Sequence, residues 1–193
     1  MTALVTDRGD VIDLAVDRWR SQPDDVEQAL LATIPDPVLD VGCGPGRIVA
    51  ALAGAGRLAL GVDPSPAAVH EAGRHRAPVL RRSVFAPLPG EQRWGTVLLL
   101  DGNVGIGGDP VALLHRSAAL LRPGGQVVAE VDPPGARTQA LTVRLEAAGA
   151  SSPWFPWARV GADAIDDLAA AAGLRAAGFD VGAGRWFARA VKP

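Results

Sequence analysis

The feature that most constrains this chain is the stretch 38–47, which reads VLDVGCGPGR. Its first four residues have the composition of a short buried strand, and Gly42, Gly44 and Gly46 follow at alternate positions. An apolar helical pattern begins at Ile48. Glycine allows a positive φ and lets a ligand approach the main chain closely, and a helix start adds unpaired N–H groups. A strand, a glycine turn and a helix in this order are typical of a nucleotide site.

The spacing of the glycines distinguishes between two kinds of nucleotide site. The dinucleotide fingerprint is G-x-G-x-x-G, and here Arg47 stands at its third glycine position while Gly46 comes one residue early. The P-loop requires G-K-[ST], which this stretch lacks. Asp40 ends the strand. Its carboxylate suits a cationic amino group and would be a poor choice beside a pyrophosphate.

A second acidic residue follows at the distance expected of a nucleoside site. Residues 58–62 predict the next parallel strand, and Asp63 stands at its carboxyl end. In nucleotide-binding α/β sheets, an acidic residue about 20 positions on accepts hydrogen bonds from the ribose hydroxyls. Together with the glycine turn, this position predicts a ribose site at Asp63. The alternative is an aspartate that flanks a helix in a turn.

The pattern Asp40-x-Gly42-x-Gly44-x-Gly46 resembles the first motif of the class I S-adenosylmethionine (SAM) methyltransferases. A helix that ends in LRPGG at residues 121–125, followed by an apolar strand, is also similar to that family, and the matching segments cover about residues 38–132. The resemblance implies a three-layer, doubly wound α/β fold with a seven-stranded, mostly parallel sheet. Its strand order would be 3-2-1-4-5-7-6 with strand seven antiparallel, and the hairpin predicted at residues 174–191 would complete it.

The resemblance also implies SAM as the cofactor. Asp40 and the glycine turn would hold its methionine part, and Asp63 its ribose. The family usually has an acidic residue near the end of the third strand that reads the adenine, but this chain has Ser83, Val84 and Phe85 there, so we expect backbone groups and apolar packing instead. The predicted cofactor residues are Asp40, Gly42, Cys43, Gly44, Gly46, Asp63, Pro64, Ser65, Val84, Phe85 and Asp101.

The sequence DGNVGIGG at residues 101–108 follows the apolar strand predicted at 94–100. Because ligands bind at the carboxyl ends of parallel strands, we expect this loop to face the reactive end of the cofactor. Asp101 and Asn103 are the candidate catalytic residues, and Asp101 is the first candidate for a general base. A loop-capping aspartate is the alternative. The loop lacks the N/D-P-P-Y/F sequence of base-amino methyltransferases, which counts against a nucleic-acid base or a protein glutamine as acceptor.

Two segments depart from the alternation of strands and helices. Residues 1–34 are predicted to form a helical cover, loosely ordered over 1–9 and helical over 10–20, and residues 136–160 an inserted hairpin or flap. Their aromatic side chains and one arginine suit a flat or carboxylate-bearing small acceptor, with plain packing as the alternative. The candidate acceptor-binding residues are Trp19, Trp154, Phe155, Trp157 and Arg159.

Composition restricts the remaining possibilities. A length of 193 residues predicts one domain, 1–193, and a net charge of −2 provides no basic field for nucleic acid. Cys43 is the single cysteine, so we expect no disulfide, and its small side chain suits the glycine turn better than a nucleophilic role. No apolar run has membrane-spanning length, and residues 1–20 are too charged for a signal peptide. We expect a cytoplasmic protein.

The leading hypothesis is a SAM-dependent methyltransferase that acts on a small-molecule acceptor. The cofactor brings the reactive carbon, so the protein mainly supplies alignment and exclusion of water. This agrees with a sequence in which no nucleophile or metal-ligand cluster stands out. One alternative is an NAD-type Rossmann enzyme, against which the missing third glycine and the terminal hairpin count. The other is a non-catalytic relative that serves as a binding or regulatory subunit. The sequence gives no indication of oligomeric state.

Overall fold

The computed structural model describes residues 2–14, 16–147 and 150–193. Twelve strands lie within these ranges: β1 (Thr2–Thr6), β2 (Val11–Asp13), β3 (Val38–Val41), β4 (Ala59–Asp63), β5 (Val79–Arg81), β6 (Trp94–Leu99), β7 (Leu121–Val131), β8 (Gln139–Ala147), β9 (Ala150–Ser151), β10 (Phe155–Arg159), β11 (Arg175–Gly182) and β12 (Arg185–Val191). The α-helices there are α1 (Val16–Trp19), α2 (Asp25–Thr33), α3 (Arg47–Gly54), α4 (Pro66–Arg74), α5 (Pro110–Leu120) and α6 (Ile165–Ala171). None of these helices has the length and apolar composition needed to span a bilayer.

The larger sheet has the order β11-β12-β7-β6-β3-β4-β5. Strands β3 to β7 run parallel to one another, and β12 is antiparallel to both β7 and β11. When the seven strands are numbered along the chain, this order is 3-2-1-4-5-7-6. The predicted fold is therefore confirmed, including the terminal hairpin and the antiparallel seventh strand.

The apolar runs of the central strands explain why both faces of this sheet carry helices. All six residues of β6 are buried, and successive side chains of a strand point to opposite faces. Leu98 packs in a cluster with residues of α2 and α3, such as Leu30 and Leu52. Leu99 packs in another cluster with residues of α5 and α6, such as Leu113. The result is the expected three layers.

The N-terminal segment differs from its prediction. It is a β-hairpin in place of a loose end and a helix, because β1 and β2 pair antiparallel. Helix α1 covers only four residues, and the helical pattern expected over 10–20 includes residue 15, which lies outside the described ranges. Strand β1 also pairs with β8, from Thr6 opposite Val143 to Thr2 opposite Ala147. These distant partners supply the hydrogen bonds that make the segment a strand, so the expected helical cover over 1–34 is wrong for its first part.

The inserted hairpin predicted over 136–160 forms from β8 and β10, which pair antiparallel. Residues 148 and 149, within the expected turn, lie outside the described ranges. With the N-terminal strands it makes a second sheet of order β10-β8-β1-β2, to which β9 adds at β8. Strand β10 lies directly on the loop after β6, because a Cβ atom on Gly105 would be 1.9 Å from the Ala158 carbonyl oxygen. The second sheet therefore covers the carboxyl end of the first.

Candidate active site

A cavity of about 600 Å³ opens at the carboxyl ends of β3, β4 and β6; we call it the cofactor cavity. Val84 faces it and is buried, whereas the Phe85 side chain is 48% exposed and packs towards Gly107. Gly46 has φ +79° and begins α3, and a Cβ atom there would lie 2.8 Å from that of Ala77. The predicted cofactor residues that line the cavity are Asp40, Gly42, Cys43, Gly44, Asp63, Pro64, Ser65, Val84 and Asp101.

The glycine turn is fixed by the loop after β6. The Asn103 side-chain amide donates hydrogen bonds to the carbonyl oxygens of Val41 (2.9 Å) and Gly42 (3.0 Å). Gly42 has φ +69°, and a Cβ atom there would lie 2.6 Å from Asn103 Nδ2. Glycine is therefore required for both conformation and space. Asn103 thus positions the turn and also lines the cofactor cavity, and the catalytic role expected of it stays a prediction.

Asp63 connects the loops that follow β3 and β4 at the cofactor cavity. One oxygen of its carboxyl accepts a hydrogen bond from the Gly44 backbone N–H at 3.0 Å, and the other from that of Ser65 at 2.8 Å. Burial raises the pKa of Asp63, although these hydrogen bonds act in the opposite direction. A carboxylate oxygen has two lone pairs, so each can still accept a hydrogen bond from a ribose hydroxyl.

Asp40 is a buried carboxyl that lies near other acidic side chains. It is 4% exposed and lines the cofactor cavity, yet no hydrogen bond reaches its carboxyl from within the described ranges. Burial, reinforced by the nearby carboxylates of Asp101 and Asp63, raises the pKa of Asp40 to about 8, even though Arg47 acts in the opposite direction. A cationic ligand group beside it would favour the ionised form of this carboxyl.

Cys43 has the structural role expected of it. Its side chain is buried against Gly61, where an added Cβ atom would lie 2.5 Å from the sulfur. Burial and the carboxylates of Asp40 and Asp63 raise the pKa of the Cys43 thiol. Because the thiolate is the reactive form, this cysteine is unsuited to nucleophilic attack.

The sequence did not predict a role for two buried ionic residues. They are Glu27 of α2 and Arg47 at the start of α3. The two Arg47 Nη atoms donate to the two carboxylate oxygens of Glu27, at 2.5 and 2.6 Å, and Arg185 Nη2 adds a bond of 3.0 Å. Burial alone would raise the pKa of Glu27, but the hydrogen bonds and charge of Arg47 lower it to about 2. The sequence offered one signal, the Asp24-x-x-Glu27 capping box, which indicates a helix start and gives no indication of an ion pair.

Asp101 lines the cofactor cavity and connects it to the ion pairs of Glu27, Arg47 and Arg185. Its backbone has φ +54°, and its N–H donates to Glu130 Oε2 at 2.8 Å. One oxygen of its carboxylate pairs with Arg18, and the other lies 3.3 Å from Arg47 Nη2. Both oxygens of the candidate base therefore already face arginines.

A second cavity of about 460 Å³ lies between the two sheets; we call it the acceptor cavity. Trp19, Asp101 and Trp157 line both cavities, so these three residues form the wall where the two meet. Leu4 of β1 and Ile12 of β2 are among its apolar lining residues. The described part of the chain contains no group of three or more His, Cys, Asp or Glu that could hold a metal ion.

The five predicted acceptor-binding residues do not all line the same cavity in the structure. Trp19 and Trp157 lie at the junction, and Phe155 lines the cofactor cavity. Arg159 lines the acceptor cavity, but Asp132 binds it through two hydrogen bonds of 2.8 Å, which raise the pKa of Arg159. Trp154 lines neither cavity among the described residues. It is 47% exposed, with the Arg144 guanidinium 4.9 Å from its ring centre.

Comparison with known proteins identifies the family of this chain. Residues 21–178 match the family model described as a methyltransferase domain. The chain belongs to this family. A comparison with curated proteins gives no significant match.

Solved structures of methyltransferases share the fold. A SAM-dependent methyltransferase from Bacteroides fragilis, in complex with S-adenosylhomocysteine, is 20% identical with a TM-score of 0.81, over 100% of this chain and 88% of that one. The sugar N-methyltransferase KedS8 from a Streptoalloteichus species is 21% identical with a TM-score of 0.66, over 95% of each chain. The 1,6-didemethyltoxoflavin-N1-methyltransferase of Burkholderia thailandensis is 24% identical with a TM-score of 0.60, over 86% and 74%. At these identities the likeness concerns the fold.

The cofactor of this methyltransferase domain is SAM. The residues of the cofactor cavity fit it. The Asp40 carboxyl, whose ionised form a nearby cation would favour, is suited to the ammonium group, and the free lone pairs of Asp63 to the ribose hydroxyls. The antiparallel β12 and the family match also count against the NAD-type alternative.

Proposed function

We propose that this protein transfers the methyl group of SAM to a small-molecule acceptor held in the acceptor cavity. The observation that carries the proposal is that the two cavities share the wall formed by Trp19, Asp101 and Trp157. A donor in one cavity and an acceptor in the other would thus meet at the ends of β3 and β6. The volume of about 460 Å³ is within the range of small-molecule sites.

Within the cofactor cavity, each part of SAM has a proposed partner. Asp40 and the glycine turn would hold the methionine part, and Asp63 the ribose. Val84, with backbone groups near Ser83, would pack on the adenine. We propose that Phe85 contributes less to adenine binding than Val84, because its ring does not line the cofactor cavity.

Transfer needs alignment more than acid–base chemistry from this site. SAM supplies an electrophilic methyl carbon when bound, and the protein holds the acceptor in line with it and excludes water. Asp101 is fixed by Arg18 and Arg47, so we propose that it orients the acceptor at the junction. A role as general base would require Arg18 to release its oxygen. An acceptor whose nucleophilic atom carries a free lone pair, such as a neutral amine, needs no such step.

The walls of the acceptor cavity favour a flat, moderately polar molecule. Trp19 and Trp157 offer large apolar faces, while the positive charge of Arg159 is already balanced by Asp132. We therefore give less weight to a carboxylate-bearing acceptor than the sequence suggested. The N-methyltransferases among the structural neighbours, which act on a sugar and on didemethyltoxoflavin, make nitrogen acceptors the first choice for a screen.

The decisive experiment is calorimetric binding of SAM and S-adenosylhomocysteine to wild type and to Asp63→Ala. Micromolar binding that Asp63→Ala weakens at least tenfold, about 1.4 kcal/mol, supports the cofactor site. Asp166→Ala is the control, since Asp166 is exposed on α6 and lies away from both cavities. Absence of binding to the wild type contradicts the proposal. Binding of SAM without formation of S-adenosylhomocysteine in the presence of any tested acceptor favours the non-catalytic alternative.

A further inference from the structure

Residues 18–20 cross the rim of the cofactor cavity and are fixed on both sides by ion pairs. Arg18 pairs with Asp101 at the end of β6. Arg20 Nε donates to Glu71 Oε1 of α4 at 3.0 Å. These two partners lie on opposite sides of β3, because β6 is its neighbour on one side and α4 follows β4 on the other. Trp19, between the two arginines, lines both cavities.

We infer that residues 18–20 form a strap over bound SAM, and that the ion pairs of Arg18 and Arg20 set how long the cofactor remains bound. The inference rests on the proposed cofactor cavity. Opening of either ion pair would free one end of the strap and give a ligand beneath it a way out. The strap thereby keeps Trp19 at the junction where donor and acceptor meet.

The two ion pairs differ in strength. The side chains of Arg18 and Asp101 are 29% and 17% exposed, whereas those of Arg20 and Glu71 are 63% and 30% exposed. Arg18 Nε is also buried without a hydrogen-bond partner among the described residues, so its guanidinium depends on Asp101 for electrostatic compensation. An exposed pair contributes little, and we expect the pair of Arg18 to dominate.

The fold should tolerate loss of either arginine. Asp101 keeps its contact with Arg47 at 3.3 Å when Arg18 is replaced, and Glu71 is a partly exposed carboxylate that water can solvate. Arg18→Gln and Arg20→Gln therefore test the strap without leaving a buried, isolated charge. Arg8→Gln is the matched control, because Arg8 is an exposed arginine in the turn between β1 and β2 and lines neither cavity.

The measurement is the dissociation rate of S-adenosylhomocysteine, followed by stopped-flow tryptophan fluorescence after mixing with excess SAM. We expect Arg18→Gln to raise the rate at least fivefold, Arg20→Gln about twofold to threefold, and Arg8→Gln not at all. Raising the salt from about 0.05 M to 0.5 M should accelerate dissociation from the wild type, since salt screens ion pairs, and should have little effect on a variant that combines Arg18→Gln with Arg20→Gln. Equal rates for Arg18→Gln and Arg8→Gln would overturn the inference.

A measurement on the wild type provides an independent test. Chymotrypsin cleaves after tryptophan, and S-adenosylhomocysteine should protect the Trp19–Arg20 bond if the strap closes over it. Equal cleavage with and without ligand contradicts the strap, even when calorimetry shows normal binding. Failure of the wild type to bind S-adenosylhomocysteine at all contradicts the proposed function instead, so the two failures are distinguishable.

Discussion

Replacing Asp40 with asparagine should stabilise the protein at neutral pH while weakening its hold on SAM. The pKa of this buried carboxyl rises from 3.8 to about 8 on folding. Because the folded pKa is the higher one, the stability contributed by the protonated form is complete below about pH 4 and is lost as the pH rises through 8. Each pH unit between the two values costs about 1.4 kcal/mol, so the wild type loses about 4 kcal/mol by pH 7. Asparagine has nearly the same shape and remains neutral.

The assay is urea unfolding of the wild type and Asp40→Asn between pH 4.5 and 8. The free energies of unfolding should be similar at pH 4.5, and the variant should gain about 3 kcal/mol over the wild type between pH 5 and pH 7. Asp7→Asn, at an exposed aspartate in the β1–β2 turn, should show no such trend. A difference between Asp40→Asn and the wild type that stays constant across this range would refute the reasoning. In calorimetry the same variant should bind S-adenosylhomocysteine at least tenfold more weakly.

Three further results are expected. Binding of S-adenosylhomocysteine to the wild type at pH 7 should release up to one proton, measured by calorimetry in buffers of different ionisation enthalpy, because the ligand's ammonium group favours ionised Asp40. Glu27→Gln should lower the free energy of unfolding in urea by about 3–5 kcal/mol at pH 7. Because the folded pKa of Glu27 is about 2, its contribution to stability is present above about pH 4.5 and is lost towards pH 2. The difference in free energy of unfolding between the wild type and Glu27→Gln should therefore become smaller in acid. Gly105→Ala should cost at least about 2 kcal/mol in thermal unfolding, since its Cβ atom would lie 1.9 Å from a carbonyl oxygen, whereas Gly54→Ala at the end of α3 meets open space and should change stability by less than about 1 kcal/mol.

The larger sheet could be predicted because its signals are local. The apolar runs of β3 and β6, the glycine turn after β3 and the LRPGG sequence that follows α5 each occupy a short stretch of sequence. Asp40 and Asp63 were found for the same reason, since each follows directly from the strand that carries it. Buried parallel strands read as continuous apolar runs, and the carboxyl end of each then fixes where its polar residue lies.

The second sheet could not be predicted in the same way. Strand β1 pairs with β2 on one side and on the other with β8, about 140 positions further along the chain, and nothing within residues 1–13 identifies that distant partner. The same limit applied to the aromatic residues of the hairpin. Trp154 and Trp157 are three positions apart, yet Trp157 lines both cavities while Trp154 packs with Arg144 at the surface. Which of them faces a ligand depends on the register of β10 against β8.

The ion pairs around Asp101 also join residues that are far apart in the sequence. They explain why an arginine stands at position 47, where the dinucleotide fingerprint has a glycine. Arg47 occupies the position where the dinucleotide fingerprint has its third glycine, and in this chain it joins Glu27 to Asp101. Arg185 connects Glu27 to Glu130. Every carboxylate of this network therefore has an arginine, whereas Asp40, beside it, has no hydrogen-bond partner within the described ranges. The carboxyl without such a partner is the one that lies beside the glycine turn in the cofactor cavity, which is where a cationic group of the cofactor would favour its ionised form.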